Sequence, residues 1–163
     1  MCSRIGKSGI NVSQTEALIT DMSLIDEREA EIIEEFSFSD DWLDIYQLII
    51  DKGNDGAGID ARYKDDSHLI EGCQSKVWVN AEMVDGKVYY QGESNTEIVN
   101  GIVSILVYIL SGNEPQDILD AKLTFIDKIG LQEHLTPTRS NGMLAMIKQM
   151  RLYAMAFAAQ QQK

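Results

Sequence analysis

KVWVNAEMVDGKVYYQGESNTEIVNGIVSILVYIL, residues 76–110, joins an alternating segment, a tight-turn dipeptide and a long apolar run. Val77, Val79, Ala81 and Met83 alternate with Trp78, Asn80 and Glu82, the period of two that puts successive side chains on opposite faces of a strand. Asp85-Gly86 then demands a type I′ turn, because both central residues of that turn need positive φ. The spacing predicts a hairpin over 76–84 and 87–92. Ser94-Asn95-Thr96-Glu97 follows as a capping box for a new helix. Ile98 to Leu110 is apolar almost all round, so this helix must be covered on most sides and forms the middle of the core, with Gly112 closing it.

Working outward, Ser23 with Asp26 caps a helix over about 24–36 that carries Ile25, Ile32, Ile33 and Phe36. Trp42, Ile45, Tyr46, Ile49 and Ile50 fall on one face of a second helix, which Gly53 is placed to end. Asn54 to Gly58 reads as a flexible loop. Downstream, Asn113 and Pro115 start a short helix. Thr136-Pro137 caps a last long one bearing Met143, Met146, Ile147, Met150, Tyr153 and Phe157. The expected class is α+β: a small antiparallel sheet of about three strands packed against several helices. Residues 1–21 lack a sustained period and read as a flexible extension before one domain over 22–160, with the last few residues frayed.

Twenty-six acidic against fourteen basic residues give a net charge of −12, which repels phosphate backbones and anionic lipid surfaces and argues against nucleic-acid or membrane partners. No run approaches the roughly 18 apolar residues of a membrane span, and no signal peptide is read. Two cysteines, Cys2 in a polar tail and Cys73 mid-chain, make no disulfide framework and favour a reducing compartment, with the cytoplasm the expected location. His68, His134 and Cys73 stand apart without metal-ligand spacing, and one mid-chain cysteine cannot hold an iron-sulfur cluster. The pairs Asp40-Asp41 and Asp65-Asp66 are read as solvated surface.

Cys73 has a different setting. Gly72 lets the chain turn before it, and the small polar Gln74 and Ser75 leave room around the sulfur. A buried structural thiol and a reactive one remain equal readings at this point. Arg139 weighs toward reactivity: it occupies the first turn of the helix capped by Thr136, where a cation opposes the positive end of the helix dipole. A residue set against a local rule often serves a site, although a simple ion pair explains it equally well. His134 is either a polar core residue or a proton carrier near the thiol, and the polar core reading is favoured.

Ile70-Glu71-Gly72-Cys73-Gln74-Ser75-Lys76-Val77-Trp78, Ser94 with Ile98-Val99-Asn100-Gly101-Ile102, Gly130-Leu131, and His134-Leu135-Thr136-Pro137-Thr138-Arg139-Ser140-Asn141-Gly142 together resemble the SufE family of sulfur acceptors, in family order. The likeness extends from about Met22 to about Phe157. It implies that a SufS-like cysteine desulfurase forms a persulfide on its own cysteine and passes that sulfur to Cys73. Cys73 then hands it toward an iron-sulfur scaffold, and Arg139 steadies the sulfur anion. The resemblance implies no cofactor on this chain, since pyridoxal phosphate belongs to the desulfurase, and it is compatible with a monomer or a homodimer. Two departures are the extension before Met22 and the absence of a proline between Gly53 and Gly58, a region whose change alters docking. Two other readings compete: a hydrolase or redox protein with Cys73 as nucleophile and His134 as base, and an iron-sulfur scaffold, which needs more thiolates than this chain has.

Overall fold

The structure is a computed structural model and describes residues 23–161. The expected extension over 1–21, and Cys2 with it, lies outside the described residues.

The helix signals at the start of the chain are local, and they act as expected. Ser23 accepts from the Asp26 amide at 3.1 Å and opens helix α1, Leu24–Glu35, which tightens into a 3₁₀ turn at Phe36–Phe38. Asp41 accepts from the Leu43 amide and opens α2, Trp42–Asp55. This helix passes through Gly53 instead of ending there. A Cβ on Gly53 would lie 2.8 Å from the amide nitrogen of Gly101, so the glycine serves a close helix crossing. Helix ends and close crossings both select glycine, and the sequence alone does not separate them.

The hairpin is two residues longer on its return limb and one residue shorter at its start than expected. Strands β1, Val77–Val84, and β2, Lys87–Ser94, pair antiparallel from Val77↔Ser94 to Val84↔Lys87. Asp85 at φ 53° and Gly86 at φ 81° carry the turn, with the positive φ at both positions that type I′ requires. Among the described residues the sheet has two strands, not about three. Beyond the two strands only isolated bridges are formed among these residues, Val88↔Asn113 and Leu69↔Trp78, the latter with the Ile70 amide donating to the Val77 carbonyl at 2.8 Å. Gly72, at φ 91°, then turns the chain away from the ladder before another pair can form.

Ser94 does not cap the next helix as a capping box would. It is still paired in the ladder, and its hydroxyl donates to the Lys76 carbonyl at 2.9 Å and accepts from the Thr96 amide at 3.3 Å. Helix α3, Glu97–Leu110, begins after Thr96, and the Asn100 side chain reaches back to accept from the Ser94 amide at 3.0 Å. The apolar run behaves as predicted: Ile98, Ile102, Val103, Ile105, Leu106, Ile109 and Leu110 are buried, between α2 on one side and β2 on the other. Gly112, at φ 80°, follows the end of α3. Asn113 serves this end and not the next helix, because its buried amide donates to the carbonyls of Ile109, Leu110 and Ser111.

Three short helices follow: α4, Pro115–Asp120; α5, Phe125–Lys128; and α6, Leu131–His134. The last, α7, spans Pro137–Gln161, so Gln160 and Gln161 are helical, while the rest of the tail expected to fray lies outside the described residues. Thr136 opens it by accepting from the Arg139 amide at 3.3 Å. Its inner face, with Met143, Met146, Ile147, Met150 and Ala154 buried, lies against the sheet. Tyr153 donates to the Val79 carbonyl at 3.2 Å, and the buried Tyr90 hydroxyl donates to the Met150 carbonyl at 2.6 Å. Among the described residues no helix is long and apolar enough to cross a membrane.

Candidate functional site

The loop that carries Cys73 is the open end of the hairpin. It leaves at Ile70, turns at Gly72 and rejoins the ladder at Val77, and its return limb is tied to the β2–α3 junction. Ser75 accepts from the Thr96 hydroxyl at 2.8 Å, and the Lys76 amide donates to the Asn95 side chain at 3.1 Å. This places Cys73, Gln74 and Ser75 along one wall of a cleft of about 500 Å³. The opening of α7 supplies the other wall through Thr136, Thr138, Arg139 and Gly142, and Val99 and Met146 add apolar lining. Val99 of α3 thus lines the same cleft as the loop, and the sulfur itself rests on α7.

Cys73 is half-buried, and its thiol donates to the Gly142 carbonyl at 3.5 Å. Burial pushes the thiol above its ordinary range, so the resting group is a neutral S–H. Gly142 keeps this approach open: a Cβ there would already touch the sulfur at 3.4 Å, so atoms beyond Cβ would crowd it.

Arg139 is half-buried on the opposite wall. Its Nη1 donates to the Tyr46 hydroxyl at 2.7 Å, and among the described residues it takes part in none of the four ion pairs. The cation and the positive end of the α7 dipole face the same cleft, within a chain of net charge −12. The sequence expectation of a thiol and a cation in one site thus corresponds to two walls of one cleft, without a direct bond between the groups.

His134 departs from the polar core reading. It is exposed, stacked on Trp42 with ring centroids 4.3 Å apart at 17°. Leu131 and Leu135 take the buried side of the single turn of α6, and that leaves His134 facing outward. It does not line the cleft.

Sequence reasoning missed Tyr46, Thr96 and Gly142 as members of the site. Tyr46 lies in the apolar stripe of α2 and reads as packing, although a tyrosine at the edge of a stripe brings a hydroxyl that needs a partner. Gly142 carried a stronger signal, since glycine inside a helix costs about 1 kcal/mol against alanine and asks for a reason. The acidic pairs act as local caps. Asp41 opens α2, while Asp65 accepts from the amide of His68 and lies 2.7 Å from its ring Nδ1. The bond from His68, with a smaller contribution from Ser67, holds the Asp65 carboxyl down to about 2. Among the described residues no group of three or more His, Cys, Asp or Glu is placed to hold a metal ion.

Comparison with known proteins gives a consistent picture. The family model described as "SufE: Fe-S metabolism associated domain" matches residues 30–154. An uncharacterized SufE-like protein of Synechocystis sp. is 35% identical over 128 residues, covering 78% of this chain and 80% of the relative. Another from Rhizobium meliloti is 34% identical over 127 residues, covering 74% of this chain and 90% of the relative. The solution structure of a hypothetical protein from Thermus thermophilus superposes with a TM-score of 0.67 at 19% identity, over 81% of this chain and 96% of that one. That likeness supports the α+β architecture.

Proposed function

This chain belongs to the SufE family, which is associated with Fe-S metabolism, and on that premise we propose that Cys73 accepts persulfide sulfur from a cysteine desulfurase and passes it on for iron-sulfur cluster assembly. The observation that carries the reading is the cleft itself, in which a half-buried thiol shares the space with a cation and a helix N-terminus, both of which favour an anion.

The chemistry is a displacement at sulfur. Cys73 loses its proton and attacks the outer sulfur of the desulfurase persulfide. A new S–S bond forms on Cys73, the S–S bond of the donor breaks, and the donor cysteine leaves as a thiolate that takes up a proton. No net electrons enter or leave. Removing sulfur from the donor frees its nucleophile for another cycle, so acceptance stimulates the desulfurase. The resting thiol is neutral and half-buried, which keeps it from wasteful attack on small molecules. Arg139 and the α7 dipole favour the negative charge that develops during transfer.

A hydrolytic or redox reading would need a base beside Cys73, and His134 stands outside the cleft on Trp42. The deciding experiment measures sulfide release from cysteine by a purified desulfurase with wild-type protein and with Cys73→Ser. Loss of stimulation with an unchanged circular dichroism spectrum is expected. Full stimulation by Cys73→Ser would refute sulfur acceptance as the basis of activation.

A further inference from the structure

Arg139 is held by a neutral partner. In a chain with 26 acids and 14 bases, a half-buried guanidinium would ordinarily find a carboxylate, and such a pair would cancel the charge at the cleft. Arg139 instead donates one Nη1 hydrogen bond to the phenol of Tyr46 at 2.7 Å. The bond fixes the guanidinium against the cleft wall and, among the described residues, leaves its charge without an acidic partner and its other N–H donors open to an incoming anion.

Tyr46 is itself braced. Its ring meets the edge of Trp42 at 6.4 Å and 74°, and Trp42 stacks on His134 at 4.3 Å. Gly130, at φ 77°, leaves the space that His134 occupies, because a Cβ there would stand 3.2 Å from the imidazole Cδ2. The array runs from α6 through α2 to the first turn of α7. It also gives His134 an office that neither a core histidine nor a proton carrier describes.

Resting on the sulfur-acceptor reading, we infer that Tyr46 is a positioning residue that holds Arg139 in the cleft as an uncompensated cation for sulfur transfer. Tyr46 acts through Arg139 and touches no reacting atom. A plain staple between α2 and α7 would predict only a change in stability.

The test measures single-turnover sulfur uptake on Cys73 from a persulfide-loaded desulfurase, over a range of acceptor concentration, for wild type, Tyr46→Phe, Arg139→Ala and the double variant. Tyr46→Phe keeps the ring and its stacking while removing the hydroxyl. Loss of one hydrogen bond of ordinary strength predicts a saturating rate lower by about threefold to tenfold, with the half-saturating concentration unchanged. In the Arg139→Ala background the same substitution should change nothing further. An unchanged rate in Tyr46→Phe, or an equal loss with and without Arg139, overturns the inference. Cys73→Ala serves as the separate control: sulfur uptake by that variant would defeat the sulfur-acceptor reading itself, whatever Tyr46 does.

Discussion

At its far end the hairpin turns on Asp85 and Gly86, whose φ angles of 53° and 81° complete the reversal within two residues. At its near end the chain turns through the Cys73 loop, where the stabilising contacts come from elsewhere: Thr96 to Ser75, Ser94 and Asn95 to Lys76, and the Gly142 carbonyl to the thiol. The first end is fixed by its own torsions and keeps its shape in any surroundings. The second is fixed by borrowed bonds, so a partner that offers better ones can exchange them. Under the sulfur-acceptor proposal, a loop that shelters a thiol and later presents it to another protein is better built in the second way.

This contrast can be broken at either end. The largest effect is expected from Gly142→Val, which places branched carbons in the space of the Cys73 sulfur. Overpacking of this kind costs about 1–3 kcal/mol and displaces the loop from α7, so alkylation of Cys73 should speed up by at least about fivefold. Alkylation at the wild-type rate would show that the loop does not rest on α7. Ser94→Ala removes the hydroxyl that joins Lys76 to Thr96. It should speed alkylation by about twofold to tenfold, the worth of one ordinary hydrogen bond, and an unchanged rate would mean that the loop is held by other means.

Gly86→Ala should act in the opposite sense. A non-glycine residue at φ 81° costs about 1–2 kcal/mol, which lowers the melting temperature by roughly 2–8 °C in a domain of this size. Because the far turn is independent of the loop, Cys73 alkylation per folded molecule should not move. A parallel change in both readouts would remove the distinction between the two ends.

The difference between the ends also explains what could be read in advance. Asp85-Gly86, Ser23 with Asp26, Thr136-Pro137 and the all-round apolar run of α3 are local instructions, and each is realised where the sequence places it. The failures concern residues whose meaning depends on distant partners. Gly53 reads as a helix end until Gly101 is found against it, and Ser94 reads as a cap until its ladder pairing with Val77 is known. Asn113 reads as a helix start until its amide is traced to α3, and the expected third strand, which no local pattern placed, is missing among the described residues. In the site, Cys73 and Arg139 stood out by local oddity. Tyr46 did not, because its signal lies 93 residues away.

A smaller effect concerns pH. Burial raises the Cys73 thiol in the folded state, so thiolate forms later than in the unfolded chain. The corresponding stability is complete below the free-thiol pKa and declines as pH rises above it toward the folded value. Alkylation of the free protein should therefore show a midpoint above that of a short cysteine peptide, and a peptide-like midpoint would contradict a sheltered thiol. Mass mapping of sulfur after incubation with a cysteine desulfurase and cysteine identifies the accepting thiol. The added sulfur is expected on the peptide containing Cys73 and not on that containing Cys2; equal labelling of both, or labelling of Cys2 alone, would contradict it.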